Sequence, residues 1–165
     1  MRVDLYGPAV DADEWGRCRA ILDRVEPEVA WAAHGPVGHA EVPGILAAAD
    51  LLVLPTLGEN YGYALAEALE AGCPVLTSDQ TPWRDLAADG CGWDLPLDPA
   101  AAWTERVREV VAWDAGAREA ARRAALHRAV RARATEPADR EAWRTLLGAA
   151  LAPGPRHGRA GTMRP

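Results

Sequence analysis

The sequence predicts an α/β fold in which a parallel sheet carries helices on both faces. Two patterns lead to this class. Over residues 1–97, short apolar segments of strand length alternate with segments whose apolar side chains recur at helical spacing. This alternation is typical of parallel strands joined by crossover helices. From residue 98 onward the sequence predicts helices alone.

The first half contains two predicted strand–helix pairs. A strand at residues 3–6 ends at a Gly-Pro turn, and a second strand at 29–33 ends in the loop 34–37. A helix at 11–24 follows the first strand, and a helix at 41–49 leads into the third strand. In the first of these helices, five apolar residues are predicted to face inward: Trp15, Cys18, Ile21, Leu22 and Val25.

The central feature is a strand–helix–strand unit at residues 51–79. An apolar run at 51–54 stops at Pro55, which is typical of a buried strand in a parallel sheet. A polar loop follows, and then a helix with Leu65 and Leu69 on one face, before a strand at 75–77. The loop therefore runs from the carboxyl end of a strand to a helix N-terminus, which is where open α/β sheets bind ligands.

The remaining sequence predicts one strand, at 93–97, and four helices. Two of the helices start at a capping residue followed by proline, at Thr81 and at Asp98. The other two lie at 117–133 and 137–151, with Trp143 on an apolar face. We predict one domain at 1–151 and a disordered tail, rich in Pro, Gly and Arg, at 152–165.

Composition excludes several classes of protein. Of the 165 residues 49% are apolar, which argues against disorder of the whole chain, and no apolar run reaches the roughly 20 residues of a membrane span. The net charge of −6 argues against nucleic-acid binding.

The three cysteines lack metal-type spacing, so we expect reduced thiols and no metal site. The arginines within 118–133 predict a solvated helix face or, alternatively, a peripheral membrane contact.

Two carboxylates, Glu59 in the loop and Glu67 on the helix, mark the predicted ligand site. The helix N-terminus after Gly62 presents free N–H groups and a partial positive charge, which suit a phosphate group. A helix carboxylate can accept both hydrogen bonds from a vicinal diol such as a ribose. Spacing alone leaves a second interpretation equally open, in which both glutamates are solvated acids favoured near a helix N-terminus. Trp83 and Trp93, near loops, are further candidates to line the cleft.

One set of residues within 55–75 forms a specific pattern: Pro55, Thr56, Glu59, Asn60, Tyr61, Gly62, Glu67, Ala68, Leu69, Gly72, Pro74 and Val75. This pattern resembles the donor-site signature of retaining GT-B glycosyltransferases of family 4. Flanking matches, such as the Gly-Pro-Val turn at 35–37, extend the resemblance over most of residues 3–151. The resemblance implies a Rossmann-like C-terminal half of a GT-B enzyme.

The resemblance also implies a role for each matched residue. Glu67 would bind the ribose hydroxyls of a nucleotide, and Glu59, the catalytic candidate, would contact the transferred sugar. Thr56 belongs to the same donor loop. Backbone N–H groups would hold the sugar at Asn60, Tyr61 and Gly62 and the diphosphate at Tyr63, Ala64 and Leu65. Backbone around Gly35 and Val37 would meet the base.

The implied reaction transfers a hexosyl-type group, with retention, from a UDP- or GDP-sugar to a saccharide or lipid-linked acceptor, without a metal or other cofactor. The family's Arg/Lys pair, its acceptor-binding N-terminal domain and the first strand of its donor domain have no match here. We therefore expect a missing domain or a partner chain to complete the enzyme, and unpaired strand edges in the sheet. The expected location is the cytoplasm or, for an enzyme with a lipid-linked acceptor, peripheral binding at the inner membrane face.

Two alternatives stay open beside this hypothesis. The chain could be a non-catalytic nucleotide-binding module that keeps the site without a catalytic partner, or a truncated and inactive fragment. An unrelated dehydrogenase of the Rossmann type is disfavoured, because no G-x-G-x-x-G follows a predicted strand.

Overall fold

The computed structural model describes the backbone of residues 1–25 and 29–151, and the side chains of residues 1–25, 29–133 and 141. The chain divides into two compact units, Met1–Ala129 and Val130–Pro165. The first unit contains all of the described strands and the candidate site. In the second unit the described backbone is helical as far as Leu151.

Strands and helices alternate as far as the fourth described strand, after which a fifth strand and two helices follow in order. The strands are β1 (Arg2–Tyr6), β2 (Ala30–Gly35), β3 (Leu52–Leu54), β4 (Val75–Ser78) and β5 (Gly92–Leu95). The helices are α1 (Ala12–Leu22), α2 (Val42–Ala48), α3 (Tyr63–Glu70), α4 (Ala100–Val111) and α5 (Ala115–Leu151). Every strand pair is parallel. The predicted α/β class is confirmed.

The described strands form two sheets rather than one. β1 pairs with β2, with Val3 opposite Trp31, and β4 lies between β3 and β5. Among the described strands, β1 and β3 therefore each have a hydrogen-bonded neighbour on one side only. Val53 on β3 is 45% exposed, although the strand is apolar throughout. The unpaired edges that the sequence predicted are present.

The core lies around β4 and α3. All four residues of β4 are buried, and the side chains of Leu65, Leu69, Leu76 and Leu86 have no exposed surface. Full burial of a leucine side chain contributes about 1.5–3 kcal/mol. Because α3 begins where the β3–α3 loop ends, and β4 pairs with the strand before that loop, this core gives the candidate site a rigid base.

The first helix is less buried than its sequence pattern predicted. Ile21 is 67% exposed, Val25 is 37% exposed, and α1 contains no buried residue. A helix with its side chains is about 10 Å across, whereas two strands lie only about 4.8 Å apart. A sheet of two strands is therefore too narrow to cover the apolar face of this helix.

The prediction that a helix starts at Thr81 is wrong. The Thr81 hydroxyl accepts a hydrogen bond from the Trp83 N–H at 3.3 Å, as a capping residue would, yet residues 81–91 form bends, irregular backbone and turns instead of a helix. Asp85 has a left-handed φ of 60°, and the Leu86 N–H donates to the Asp94 carboxylate at 3.1 Å. A left-handed residue and a backbone donor already bound to another strand both stop a helix from propagating.

Two further expectations about α4 and α5 are wrong. Pro99, rather than Asp98, is the N-cap residue of α4, with extended backbone. Residues 115–151 form one helix where two were predicted. An interior proline destabilises a helix by about 3 kcal/mol, but this segment is rich in strong helix formers, which favour a continuous helix. The predictions for Trp143 and for the tail at 152–165 lie outside the described side chains and residues.

The arginines of α5 are not a uniformly solvated face. The Arg122 guanidinium donates to the Ala47 carbonyl at 2.9 Å and to the Ala49 carbonyl at 3.0 Å. These carbonyls belong to the end of α2, whose last turn has no helical partner for them. Arg122 therefore caps α2 from a distant helix.

Candidate functional site

The loop between β3 and α3 is held in place by hydrogen bonds from the end of β4. The Ser78 hydroxyl donates to the Thr56 carbonyl at 2.5 Å, and the Glu59 N–H donates to the Gln80 carbonyl at 3.2 Å. Within the loop, the Gly58 N–H lies 3.2 Å from the Thr56 hydroxyl oxygen. Thr56 thus closes a tight turn at the strand end and does not project into solvent as a free ligand.

The loop enters α3 through a left-handed residue, Gly62. Its φ is 79°, a conformation that side chains rarely adopt, and it is the N-cap residue of α3. A Cβ atom built at this position would lie 3.0 Å from Leu65 Cδ1 and 3.2 Å from Trp83 Nε1. Glycine is therefore required both by the backbone and by the space around it.

The first turn of α3 leaves two backbone donors without an acceptor. The N–H groups of Leu65 and Ala66 both donate to the Gly62 carbonyl, at 3.0 and 3.1 Å. Those of Tyr63 and Ala64 have no acceptor within the described part of the chain. Tyr63 is 74% exposed, so this end of the helix is open to solvent. Two free N–H groups and the partial positive charge of the helix end suit an anion.

Glu67 lies on the second turn of α3 and meets the loop that follows β2. Its side chain is 32% exposed, and its Oε1 atom lies 3.8 Å from Nδ1 of His39. The structure therefore brings the predicted base-binding loop and the predicted ribose-binding carboxylate together. That proximity does not follow from sequence spacing, because the two residues belong to different crossover units.

The β2 loop has its own fixed geometry. Gly35 ends β2 with a φ of 69°, and its carbonyl accepts a hydrogen bond from the Gly7 N–H at 2.8 Å. The Gly38 N–H donates to the Glu41 carboxylate at 3.0 Å. Val37 lies between these two anchors and is half-buried.

The remaining predicted residues lie on the outer side of the β3–α3 loop. Glu59 and Asn60 are exposed, and the Glu59 carboxylate makes no hydrogen bond or ion pair with the described residues. Tyr61 is 38% exposed, and its ring lies 5.0 Å from the Tyr63 ring, centroid to centroid. The loop thus offers a carboxylate, an amide and two aromatic rings to solvent beside the free N–H groups of α3.

Comparison with known protein families identifies the domain. The family model described as Glycosyl transferases group 1 matches residues 2–129. The chain belongs to this family. A search of curated proteins finds no match. The matched range contains all of the described strands, the β3–α3 loop and both glutamates, so this loop lies in a glycosyltransferase domain.

The group 1 glycosyltransferase domain has one buried aromatic residue whose position the sequence did not predict. Trp83, a candidate to line the cleft, is 4% exposed, and its indole N–H donates to the Tyr61 carbonyl at 2.6 Å. It lies against the β3–α3 loop. The only sequence signal was a tryptophan beside a proline shortly after the second strand of the central unit.

A polar cluster lies on one face of the β1–β2 sheet of this domain. Asp4 accepts hydrogen bonds from Arg2 at 2.7 Å and from His34 Nε2 at 2.6 Å, and the His34 ring stacks on Tyr6 with centroids 4.6 Å apart. The hydrogen bonds from Arg2 and then from His34 lower the pKa of Asp4 from 3.8 to about 2. The cluster ties the end of β2 to the neighbouring strand, β1.

The depressed pKa of Asp4 makes a prediction about pH. Its carboxylate stabilises the fold above the unfolded pKa of 3.8, and this contribution is lost as the pH falls toward about 2. We expect Asp4→Asn to be less stable than the wild type at pH 7, with a difference that shrinks between pH 4 and about pH 2. Urea unfolding across this pH range measures the difference in stability between the variant and the wild type. Asp23→Asn, at the exposed end of α1, is the control, and a difference independent of pH would contradict the assignment.

No group of three or more potential metal ligands occurs among the described residues of the domain. The sequence does contain one Asp-x-Asp pair, Asp11 and Asp13, but Asp11 caps α1 by accepting the N–H groups of Asp13 and Glu14 at 3.0 and 2.9 Å. None of the described helices combines the length and apolar character needed to cross a membrane.

Proposed function

We propose that this chain is the donor-binding half of a retaining GT-B glycosyltransferase and binds a UDP- or GDP-sugar at the β3–α3 loop. The observation that carries the proposal is the juxtaposition of three features: the two free N–H groups of α3, the exposed Glu59 carboxylate, and Glu67 beside the β2 loop. Each feature suits a different part of a nucleotide sugar.

The diphosphate binds at the N-terminus of α3. The N–H groups of Tyr63 and Ala64 donate to its oxygens, while Leu65 supports them by binding the Gly62 carbonyl. Such donors act without reorganisation, because the Gly62 turn and the buried Leu65 side chain already fix them. As the sugar leaves the diphosphate, negative charge develops on the same oxygens.

The nucleoside binds between α3 and the β2 loop. Glu67 accepts hydrogen bonds from both ribose hydroxyls, and the backbone at Gly35 and Val37 faces the base. The 3.8 Å distance between His39 Nδ1 and Glu67 Oε1 supports this arrangement, because a side chain of the β2 loop reaches the proposed ribose acceptor.

The transferred sugar binds over the outer side of the loop. Glu59 contacts its hydroxyls, and the N–H groups of Asn60, Tyr61 and Gly62 hold it near the diphosphate. The acceptor attacks from the face that the diphosphate leaves, so the anomeric configuration is retained. No metal is needed if the helix N–H groups and a basic pair neutralise the leaving group.

A second half of the enzyme, from the same protein or a partner chain, supplies the basic pair and the acceptor site in this proposal. The unpaired edges of β1 and β3 and the exposed side chain of Val53 support it, because such edges and apolar surface are ordinarily covered. The acceptor is a saccharide or lipid-linked saccharide, and the enzyme works in the cytoplasm or bound peripherally at the inner membrane face.

A non-catalytic nucleotide-binding module is the second candidate. The acceptor-less N–H groups of Tyr63 and Ala64 favour it, since they can bind a diphosphate whether or not a catalytic half is present. The two candidates share the nucleotide site and differ in whether the bound sugar is transferred.

Calorimetric titration with UDP, GDP and ADP, and with their sugar conjugates, tests the proposal. We expect one nucleotide to bind selectively, and to bind more tightly with its sugar attached. Absence of binding by the folded chain, both alone and with the second half added, would overturn the donor assignment. A transfer assay with the same nucleotide sugar and the second half separates the enzyme from the binding module.

Glu59→Ala tests the sugar-binding role of the loop carboxylate. Because Glu59 contacts only the transferred sugar, we expect the variant to bind the bare nucleotide as the wild type does and the nucleotide sugar about tenfold more weakly. Glu105→Ala, an exposed acid on α4, is the matched control. An equal loss for both ligands would contradict the proposed role.

A further inference from the structure

Trp83 lies between the donor loop and α5 and contacts both. Its indole N–H donates to the Tyr61 carbonyl at 2.6 Å, and the edge of its ring lies against Gly62. On the other side, the Arg128 guanidinium of α5 lies over the Trp83 ring, 5.0 Å from its centroid. Arg128 is itself held by Asp89, with 3.1 Å between Nε and Oδ2.

The bond to Tyr61 controls the direction of a different group. The Tyr61 carbonyl and the Gly62 N–H belong to one peptide unit, which is planar and trans, so the two point in opposite directions. Anchoring the carbonyl to the buried Trp83 therefore aims the Gly62 N–H away from the core. The Gly62 carbonyl, in the next peptide unit, accepts the N–H groups of Leu65 and Ala66 and so starts α3.

Packing alone does not account for this arrangement. A phenylalanine would fill much of the same apolar space but could not donate to Tyr61. Arg128 and Asp89 are only 20% and 22% exposed, so their ion pair is shielded from water and fixes the guanidinium over the ring. A cation in this position attracts the face of an indole and thereby restrains its orientation.

We propose that Trp83, restrained by Arg128, is a positioning residue that sets the donor loop for the sugar and the diphosphate. The inference rests on the proposed function for its ligand, but the positioning itself can be measured without one. It also gives α5 a role at the site, because any displacement of Arg128 releases the indole that holds the Tyr61–Gly62 peptide unit.

Amide hydrogen exchange of the free chain tests the positioning. We expect Trp83→Phe and Arg128→Gln each to speed exchange at Leu65 and Ala66 about tenfold, with no change at Val75 in β4. Arg123→Gln is the matched control, since Arg123 lies on the same helix and, among the described side chains, pairs only with the exposed Glu119. Unchanged exchange at Leu65 and Ala66 in Arg128→Gln, or an equal increase at Val75, would overturn the proposal.

Nucleotide titration then tests the consequence for the ligand. We expect both variants to bind the nucleotide sugar about five- to tenfold more weakly than the wild type, and Arg128→Lys, which keeps a cation, to fall between wild type and Arg128→Gln. Faster exchange at Leu65 and Ala66 with unchanged affinity would show that the turn is positioned for something other than the donor. If the wild type binds no nucleotide, the proposed function fails, and the exchange experiment still decides whether Trp83 positions the loop.

Discussion

Glu67→Ala is expected to lower nucleotide affinity about 100-fold. In the proposed donor site the variant removes the carboxylate that accepts both ribose hydroxyls, and a hydrogen bond to a charged group is worth about 1.5–3 kcal/mol, where each 1.4 kcal/mol is tenfold. Glu67 is 32% exposed and lies 3.8 Å from His39, so its carboxylate is accessible to a ligand beside the β2 loop. Calorimetry with the selected nucleotide measures the change.

Two comparisons make the Glu67 result specific. Glu67→Gln keeps the shape and one acceptor, so its affinity should lie between those of the wild type and the alanine variant. Glu119→Ala removes an exposed acid on α5 and should bind as the wild type does. An alanine variant with wild-type affinity and an unchanged unfolding transition would contradict the ribose assignment and leave Glu67 as a solvated helix acid.

Gly92→Ala is expected to destabilise the domain by about 3 kcal/mol or more, which is a large share of a typical stability of about 5–15 kcal/mol. Gly92 pairs with Val75 across β4 and β5, and its φ is 143°. An added Cβ would lie 1.8 Å from the Val75 carbonyl oxygen, which is backbone and cannot rotate away. Urea unfolding measures the loss in free energy of unfolding, and a variant that fails to fold would show the same effect at a larger size.

Gly16→Ala is the matched control for Gly92, with the opposite expected sign. Gly16 lies inside α1, and a Cβ there meets no atom of the described residues beyond its own helix within 4 Å. Alanine in an exposed helix interior should stabilise by about 0.5–1 kcal/mol, because it restricts the unfolded chain. Similar small effects at both positions would show that the β4–β5 pair relaxes around the extra carbon.

Local sequence signals were sufficient for the central unit. The apolar run ended by Pro55, and the Gly72 and Pro74 that end the helix, predicted β3, α3 and β4 to within one residue at most ends. These signals depend on neighbours in the chain, which a sequence displays directly. The positions of the site residues on this unit followed from the same signals, while their roles in donor binding stay predictions.

Contacts between distant residues account for what could not be predicted. Thr81 has the local pattern of a helix start, but the Asp94 carboxylate takes the Leu86 N–H that such a helix needs. Ile21 has the spacing of a buried residue, but the width of the sheet beneath α1 depends on which strands pair. The bond between Trp83 and the Tyr61 carbonyl spans 22 positions and has no local signature.

The cap that Arg122 places on α2 has a consequence for synthesis on the ribosome. The Ala47 carbonyl is made 75 residues before the guanidinium that satisfies it. At about 5–20 residues per second, the end of α2 waits roughly 4–15 s for its partner, with water bound to its carbonyls meanwhile. The end of α2 is therefore completed late, and any shortened form of the chain that stops before α5 will leave it permanently uncapped.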